Sequence, residues 1–375
     1  MILYICVALV SIILAYECGR VSRYANGGRA MMYTRACLVA IFVLLFAVSA
    51  MRMNVGNDYA KYVEFMHRLY TDKYISDPGV PTEWGFNLIA RIVYGLSGYE
   101  NFLLVFAIYS FATVGIFLTA LWRQSEDFAL SFLMFMALGY YFQSFSTVRY
   151  YLALAIALYS MKYVVNKRWI EFVILAVLGS GIHKSILVIL PLYFLASLAW
   201  KKWEIVVVFV VCSSALFLND LYLKVLIKVY PSYEDTEYLA GSGLSIINIF
   251  RCLAVLVLAA WCYKEAIQGD RKMRFYFYLN LGALALYSLC FKLPLVSRIG
   301  YYLTVSHILF VPAMISRISS DRQRRLLKIL LILGCIGYFA LYLYKASDDG
   351  VLVLPYKTFW FNDMVNILSD VDSWT

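Results

Sequence analysis

Apolar runs close to ~20 residues, the length a helix needs to cross bilayer hydrocarbon, recur along this chain of 375 residues from end to end. They fall at 1–17, 35–51, 101–121, 128–145, 149–165, 169–183, 185–200, 204–218, 246–263, 275–291, 299–315 and 326–344. Backbone polar groups cannot be left unpaired in lipid, so each run is expected to be helical. The pattern predicts an all-α integral membrane protein, a single membrane domain over 1–375 with about twelve membrane segments. Residues 169–200 are too long for one upright helix and too short for two full ones. The polar break Gly179-Ser180-Gly181-Ile182-His183-Lys184-Ser185 is expected to divide them into two short helices that bury it against protein.

Charge orients this arrangement. With residue 1 outside and 169–200 folded as a hairpin, more than half of the 33 Lys and Arg residues fall in short inner loops, as membrane insertion requires. A single span there would carry the basic loops 264–274 and 316–328 to the outside. The outer face then holds the loops 52–100 and 219–245 and the tail 345–375. In the first of these, Tyr59, Tyr62, Val63, Met66, Leu69 and Tyr70 recur at helical spacing, which predicts an amphipathic helix in the membrane interface. A second helix, with Trp84, Leu88, Ile89, Ile92, Val93 and Leu96 apolar, is expected after Pro81-Thr82-Glu83.

Composition agrees, with 63% of residues hydrophobic and 15% charged, which excludes an ordinary soluble domain. The net charge of +10 would suggest nucleic acid in a soluble protein, but here the cations serve loop orientation and no nucleic-acid partner is expected. Eight scattered cysteines, without a C-x-x-C, signal neither zinc nor a disulfide framework. Residues 1–17 lack a basic leader and a small-residue cleavage site, so they read as a first span. There is no G-x-x-x-x-G-K-[ST], H-E-x-x-H or G-x-S-x-G, and no dinucleotide fingerprint. ATP-driven transport and NAD chemistry lose support, and no cofactor is expected.

The remaining chemistry lies in polar residues that the topology gathers near the outer interface: Arg52, Asp58, Glu83, Arg149, His183, Arg251 and Arg298. Arg52 reads equally as a snorkelling anchor. Arg149 opens a helix, where a cation opposes the dipole and needs another reason to be present. Arg251 lies within a span, at a cost of about 3 kcal/mol unless it faces a polar cavity. Asp58 and Glu83 are either dipole-stabilising acids or proton acceptors, and His183 is either a satisfied residue at a helix break or a base. His67 and His307 show no partner in the sequence. Together, several guanidinium groups at headgroup depth can clamp a diphosphate and stabilise its charge as it leaves. A His or carboxylate can take the proton of an attacking sugar hydroxyl. The aromatic faces of Trp84, Phe86, Tyr150, Tyr151, Tyr233 and Tyr238 could stack on sugar rings.

Five short motifs then occur in order. They are Arg-x-x-x-Gly-x-Asp-Tyr-x-x-Tyr from Arg52 to Tyr62, Glu-x-Gly-Phe at Glu83, Ser-Phe-x-x-x-Arg from Ser144 to Arg149, His-x-Ser at His183, and Pro355-Tyr356. The set resembles the EpsG family of Wzy-type polysaccharide polymerases, most strongly over 52–190. Asn57 stands where that family commonly has threonine, and Trp84 where it has a small residue or proline; neither removes a charge. The resemblance implies a GT-C-like glycosyltransferase in the bacterial cytoplasmic (inner) membrane, working on its periplasmic or exterior face without metal. It implies transfer of a growing glycan from undecaprenyl diphosphate to another lipid-linked oligosaccharide repeat unit, yielding O-antigen, capsule or exopolysaccharide, with a chain-length regulator as a possible partner. On this reading Arg149 and Arg298 hold the donor diphosphate, with Arg52 and Arg251 as further contacts. His183 is the first choice of base, and Asp58 and Glu83 are second choices or orienting groups. The alternatives are an O-antigen ligase, which typically has a larger outer domain than 219–245 supplies, and a transporter or flippase of lipid-linked glycans. A transporter would want internal repeats and a polar path through both leaflets, and neither is evident.

Overall fold

A computed structural model describes residues 1–24, 27–71, 82–229, 244–291, 293, 296–348 and 351–360. Among them the architecture is helical, and the one β-type pairing is an isolated bridge between Arg52 and Thr358. The expectations at Pro81, Tyr233 and Tyr238, most of 219–245 and the tail beyond 360 lie outside the described residues.

The helices run in order α1 (Ile2–Tyr24), α2 (Gly28–Ala50), α3 (Tyr59–Thr71), α4 (Trp84–Ser97), α5 (Phe102–Gln124), α6 (Phe128–Ala137), α7 (Tyr140–Gln143) and α8 (Val148–Val165). Then come α9 (Trp169–Ser180), α10 (Ile189–Ser197), α11 (Lys202–Ser214), α12 (Asn219–Val229) and α13 (Ile246–Trp261). The series ends with α14 (Arg271–Leu289), α15 (Val296–Thr304), α16 (His307–Ser316) and α17 (Asp321–Lys345). Among the described residues five segments are long and apolar enough to cross a membrane: Ile2–Ser22, Gly28–Ala50, Phe102–Gln124, Val296–Ser316 and Asp321–Lys345. Shorter apolar helices cover Phe128–Ala137, Trp169–Ser180, Lys184–Ser197, Trp203–Ser214 and Ile246–Trp261. Two expected spans are interrupted. The run 128–145 breaks at Gly139, whose φ of +78° suits glycine, and 299–315 is divided between α15 and α16. Residues 169–200 do form two short helices around the polar break, with a 3-10 turn over Lys184–Val188.

The chain gathers into two compact units. The first comprises Met1–Tyr159, Ile174–Ile186 and the chain from Arg322; the second comprises Ser160–Val173 and Leu187–Asp321. In the first, α1 packs on α2 and α6, α2 on α5, and α3 on α4. The stretch Tyr150–Leu158 of α8 is buried on every side, as expected of a helix that is apolar all round. In the second unit α14 packs against α10, α11, α13, α15 and α16.

The two amphipathic helices form as the spacing predicts, but with a difference in α4. Helix α3 buries Tyr59, Tyr62, Val63, Met66 and Leu69, while Tyr70 stays exposed. Helix α4 buries Gly85, Phe86, Ala90, Val93 and Tyr94. Its residues Trp84, Leu88, Ile92 and Leu96, at four-residue spacing, face outward instead. This helix has two apolar faces, one packed on protein and one suited to lipid.

A strap from the tail closes the first unit. The amide of Met53 donates to Lys357 O at 3.0 Å and that of Gly56 to Leu352 O at 2.8 Å. The Tyr4 hydroxyl donates to Val353 O at 2.6 Å, and that of Tyr356 to Val48 O at 2.8 Å. Residues 351–358 thus hold the turn between α2 and α3.

Candidate active site

The site is built by two close backbone approaches. Gly85, in the first turn of α4, donates its amide to the carbonyl of Gly181 at 2.7 Å. A Cβ at Gly85 would stand 2.5 Å from that carbonyl oxygen, and a Cβ at Gly181 would stand 2.5 Å from the Trp84 ring. Two side chains reduced to hydrogen are what let α4 start directly against the helix break. The second approach is at Gly56, whose φ is +105° and whose Cβ would lie 2.5 Å from Phe145 O. Beside it the Ser146 hydroxyl donates to the Asn57 side-chain oxygen. This contact fixes the segment that leads into α8 and hence Arg149.

These approaches bring three sequence-distant residues to one carboxylate. Glu83 occupies the N-cap position of α4 without a side-chain capping bond, and its side chain is only 9% exposed. Its Oε2 accepts from Arg149 Nη1. Its Oε1 accepts from the Lys184 amide at 3.0 Å and meets His183 Nδ1 at 3.1 Å. Burial pushes the Glu83 carboxyl upward, but the His183 hydrogen bond, the Arg149 charge and the Lys184 amide outweigh it and hold its pKa down at about 2. Glu83 is therefore ionised at neutral pH and an acceptor only, so His183 donates its Nδ1–H. Its other ring nitrogen, Nε2, is buried and reaches no hydrogen-bond partner among the described residues.

Arg149 has the reason its position required. Glu83 offsets a cation at the start of a helix, and the guanidinium lies over the rings of Tyr62 and Phe86, each 5.4 Å from the centroid. The ring of Tyr150 stands edge-on to His183 at 5.7 Å. Tyr62 was visible as a helix-stripe residue; its place beneath Arg149 was not, because periodicity reports a face and not its tertiary partner.

Arg52 is buried where α2 ends. It is 1% exposed, donates to Ser49 O and to the hydroxyls of Ser49 and Ser110 at 3.1 Å, and lies over Phe106 and Phe145. The first of these bonds satisfies one carbonyl at the open end of α2, while Arg52 Nε and Nη2 are buried and reach no hydrogen-bond partner among the described residues. Asp58 sits at the start of α3, where its carbonyl accepts from Tyr62 N at 3.0 Å. Arg251 and Arg298 belong to the second unit. There Arg251 donates to Thr304 Oγ1 at 2.7 Å and lies over Tyr301, and Arg298 occupies the first turn of α15. Of the histidines without a visible partner, His67 pairs with Glu100 at 2.9 Å, and His307 is fully buried at the start of α16. Among the described residues no group of three or more His, Cys, Asp or Glu side chains gathers as a metal site would require.

No curated protein and no solved structure matches the chain. The EpsG family matches residues 35–358, a range that begins in α2 and ends on the strap at Thr358, taking in every contact that forms the Glu83 cluster. The protein belongs to the EpsG family of Wzy-type, polymerase-like membrane proteins.

Proposed function

We propose that the cluster of Glu83, Arg149 and His183 is the reaction centre of a glycosyltransferase that polymerises lipid-linked oligosaccharide repeat units. The substrate is an undecaprenyl-diphosphate-linked glycan, the product an O-antigen, capsule or exopolysaccharide. The reaction takes place on the outer face of the bacterial cytoplasmic membrane, within a GT-C-like bundle. His183 Nε2 takes the proton of the acceptor sugar hydroxyl as that oxygen bonds to the anomeric carbon of the donor glycan. The bond from that carbon to the diphosphate breaks, and Arg149 stabilises the charge left on the diphosphate. Glu83 keeps the imidazole in the tautomer that can accept a proton. Asp58 and Arg52 support the α2–α3 turn that carries Tyr62. Arg298 and Arg251 keep a diphosphate role on the sequence argument alone, and the reading does not depend on them.

The observation that carries this reading is one ionised carboxylate shared by a cation and an imidazole whose other nitrogen is unpartnered among the described residues. The test is replacement of Arg149 or His183 by Ala in cells that depend on this protein. The protein should remain in the membrane, long glycan chains should disappear, and single repeat units should accumulate on lipid. Chain-length ladders of normal extent from both variants would overturn the assignment. In liposomes without an energy source the wild-type protein should lengthen purified lipid-linked oligosaccharide, which a transporter would only relocate.

A further inference from the structure

A second site lies within the second unit, away from every motif used above. A cavity of about 460 Å³ opens where the loops before α9, after α10 and before α14 come together. Three cations line it, Lys167, Arg271 and Arg274, and no carboxylate does. The acids nearest in sequence are engaged: Glu171 with Arg168, Glu204 with the Lys201 amide, and Asp270 with Arg317. None of the three lining cations forms an ion pair with a described carboxylate, and the one hydrogen bond is a long 3.4 Å contact from Arg271 to Val164 O. The wall is apolar, with the Trp169 ring packed on Phe194 at 5.6 Å.

The end of α8 sets the position of Lys167. Its φ is +58°, one of three positive values among the described non-glycine residues. The Arg168 amide donates to Tyr163 O at 2.8 Å and the Lys167 amide to Val164 O at 3.1 Å, the paired bonds that close a helix C-terminus on a left-handed residue. Here it aims a long cation into the same loop cluster from the C-terminal end of α8, where the helix dipole also favours positive charge.

We propose that this cavity binds a phosphorylated anion at the membrane surface, specifically the headgroup of an anionic phospholipid with its acyl chain along Phe194 and Leu198. Like charges brought together without a counter-ion repel, and a phosphate diester relieves that repulsion through charge-assisted hydrogen bonds from arginine. The apolar wall and Trp169 favour a ligand that carries a hydrocarbon chain over inorganic phosphate. The charge argument that orients the chain puts these loops on the cytoplasmic side, where juxtamembrane cations attract anionic lipid.

The experiment uses the purified full-length protein in neutral detergent, titrated in turn with phosphatidylglycerol, phosphatidylcholine and inorganic phosphate. Binding is read by native mass spectrometry and by the shift in melting temperature. Phosphatidylglycerol should bind saturably. The double variant Arg271→Gln with Arg274→Gln should weaken it about tenfold or more, and Lys167→Ala should do so by a smaller factor. A control pair on the basic start of α17, Arg322→Gln with Arg325→Gln, should leave it unchanged. Binding of inorganic phosphate at equal strength would assign the site to a soluble phosphate and overturn the lipid part of the proposal. Equal binding by the cavity variants and wild type, or an equal loss in the control pair, would overturn the site. Lys167→Ala serves as the deciding variant should the double replacement fail to fold.

Discussion

The amide of Gly85 and the carbonyl of Gly181, 96 positions apart in the chain, meet at 2.7 Å. Everything at the Glu83 cluster follows from that approach, because it sets the α4 start against the helix break closely enough for one carboxylate to reach both Arg149 and His183. Replacing Gly85 by Ala places a methyl against backbone that cannot step aside. It should cost on the order of 1–3 kcal/mol and abolish polymer formation. Gly181→Ala meets the outer edge of the exposed Trp84 ring, which can swing away, and should be milder. Thermal melts in detergent alongside glycan ladders would check the order; equal damage from both would contradict it.

Protonation offers a second handle. The Glu83 carboxyl falls from its ordinary 4.5 to about 2 in the folded protein, so the unfolded chain binds the proton more readily between those values. Its contribution, about 3 kcal/mol from the size of the shift, is fully present above pH 4.5 and is lost as pH falls toward 2. Wild-type stability should therefore fall over that window more steeply than that of Glu83→Gln, with the two curves converging at the acid end.

The Glu83–Arg149 pair should respond unequally to single and joint removal. Either partner alone leaves a buried charge uncompensated, a loss of about 3–5 kcal/mol. Removing both, as Glu83→Leu with Arg149→Met, should cost less than the sum of the singles in a double-mutant cycle. Glycan polymerisation should nevertheless be absent from all three proteins, which separates folding from chemistry.

The tail strap makes a prediction about stability alone. Tyr356→Phe removes the hydrogen bond to Val48 O and should lower stability by about 1 kcal/mol while preserving polymer length. Gly56→Ala combines a positive φ with a collision at Phe145 O and should be much worse, with Arg149 losing its support. Melting curves and ladders for the two variants would distinguish a strap from a reacting group.

The membrane character and the α3 stripe were readable because each depends on local periodicity. So was the break at Gly179–Ser185, since two glycines, a histidine and a lysine interrupt an otherwise apolar run. The outward face of α4 was not, because an apolar stripe looks the same in sequence whether protein or lipid covers it. Arg52 was open to two readings for a similar reason. It could be a snorkelling anchor or a diphosphate contact, and spacing does not reveal that Ser110, Phe106 and Phe145 surround it. The company Glu83 keeps could not be inferred from spacing, since its partners lie 66 and 100 residues away.

One acidic side chain therefore ties two distant stretches of the chain to its own at once. Variation at positions 83, 149 and 183 will be epistatic: a change harmless beside one neighbour will be ruinous beside another. Related sequences that drift at this corner should replace its members as a group or leave them alone.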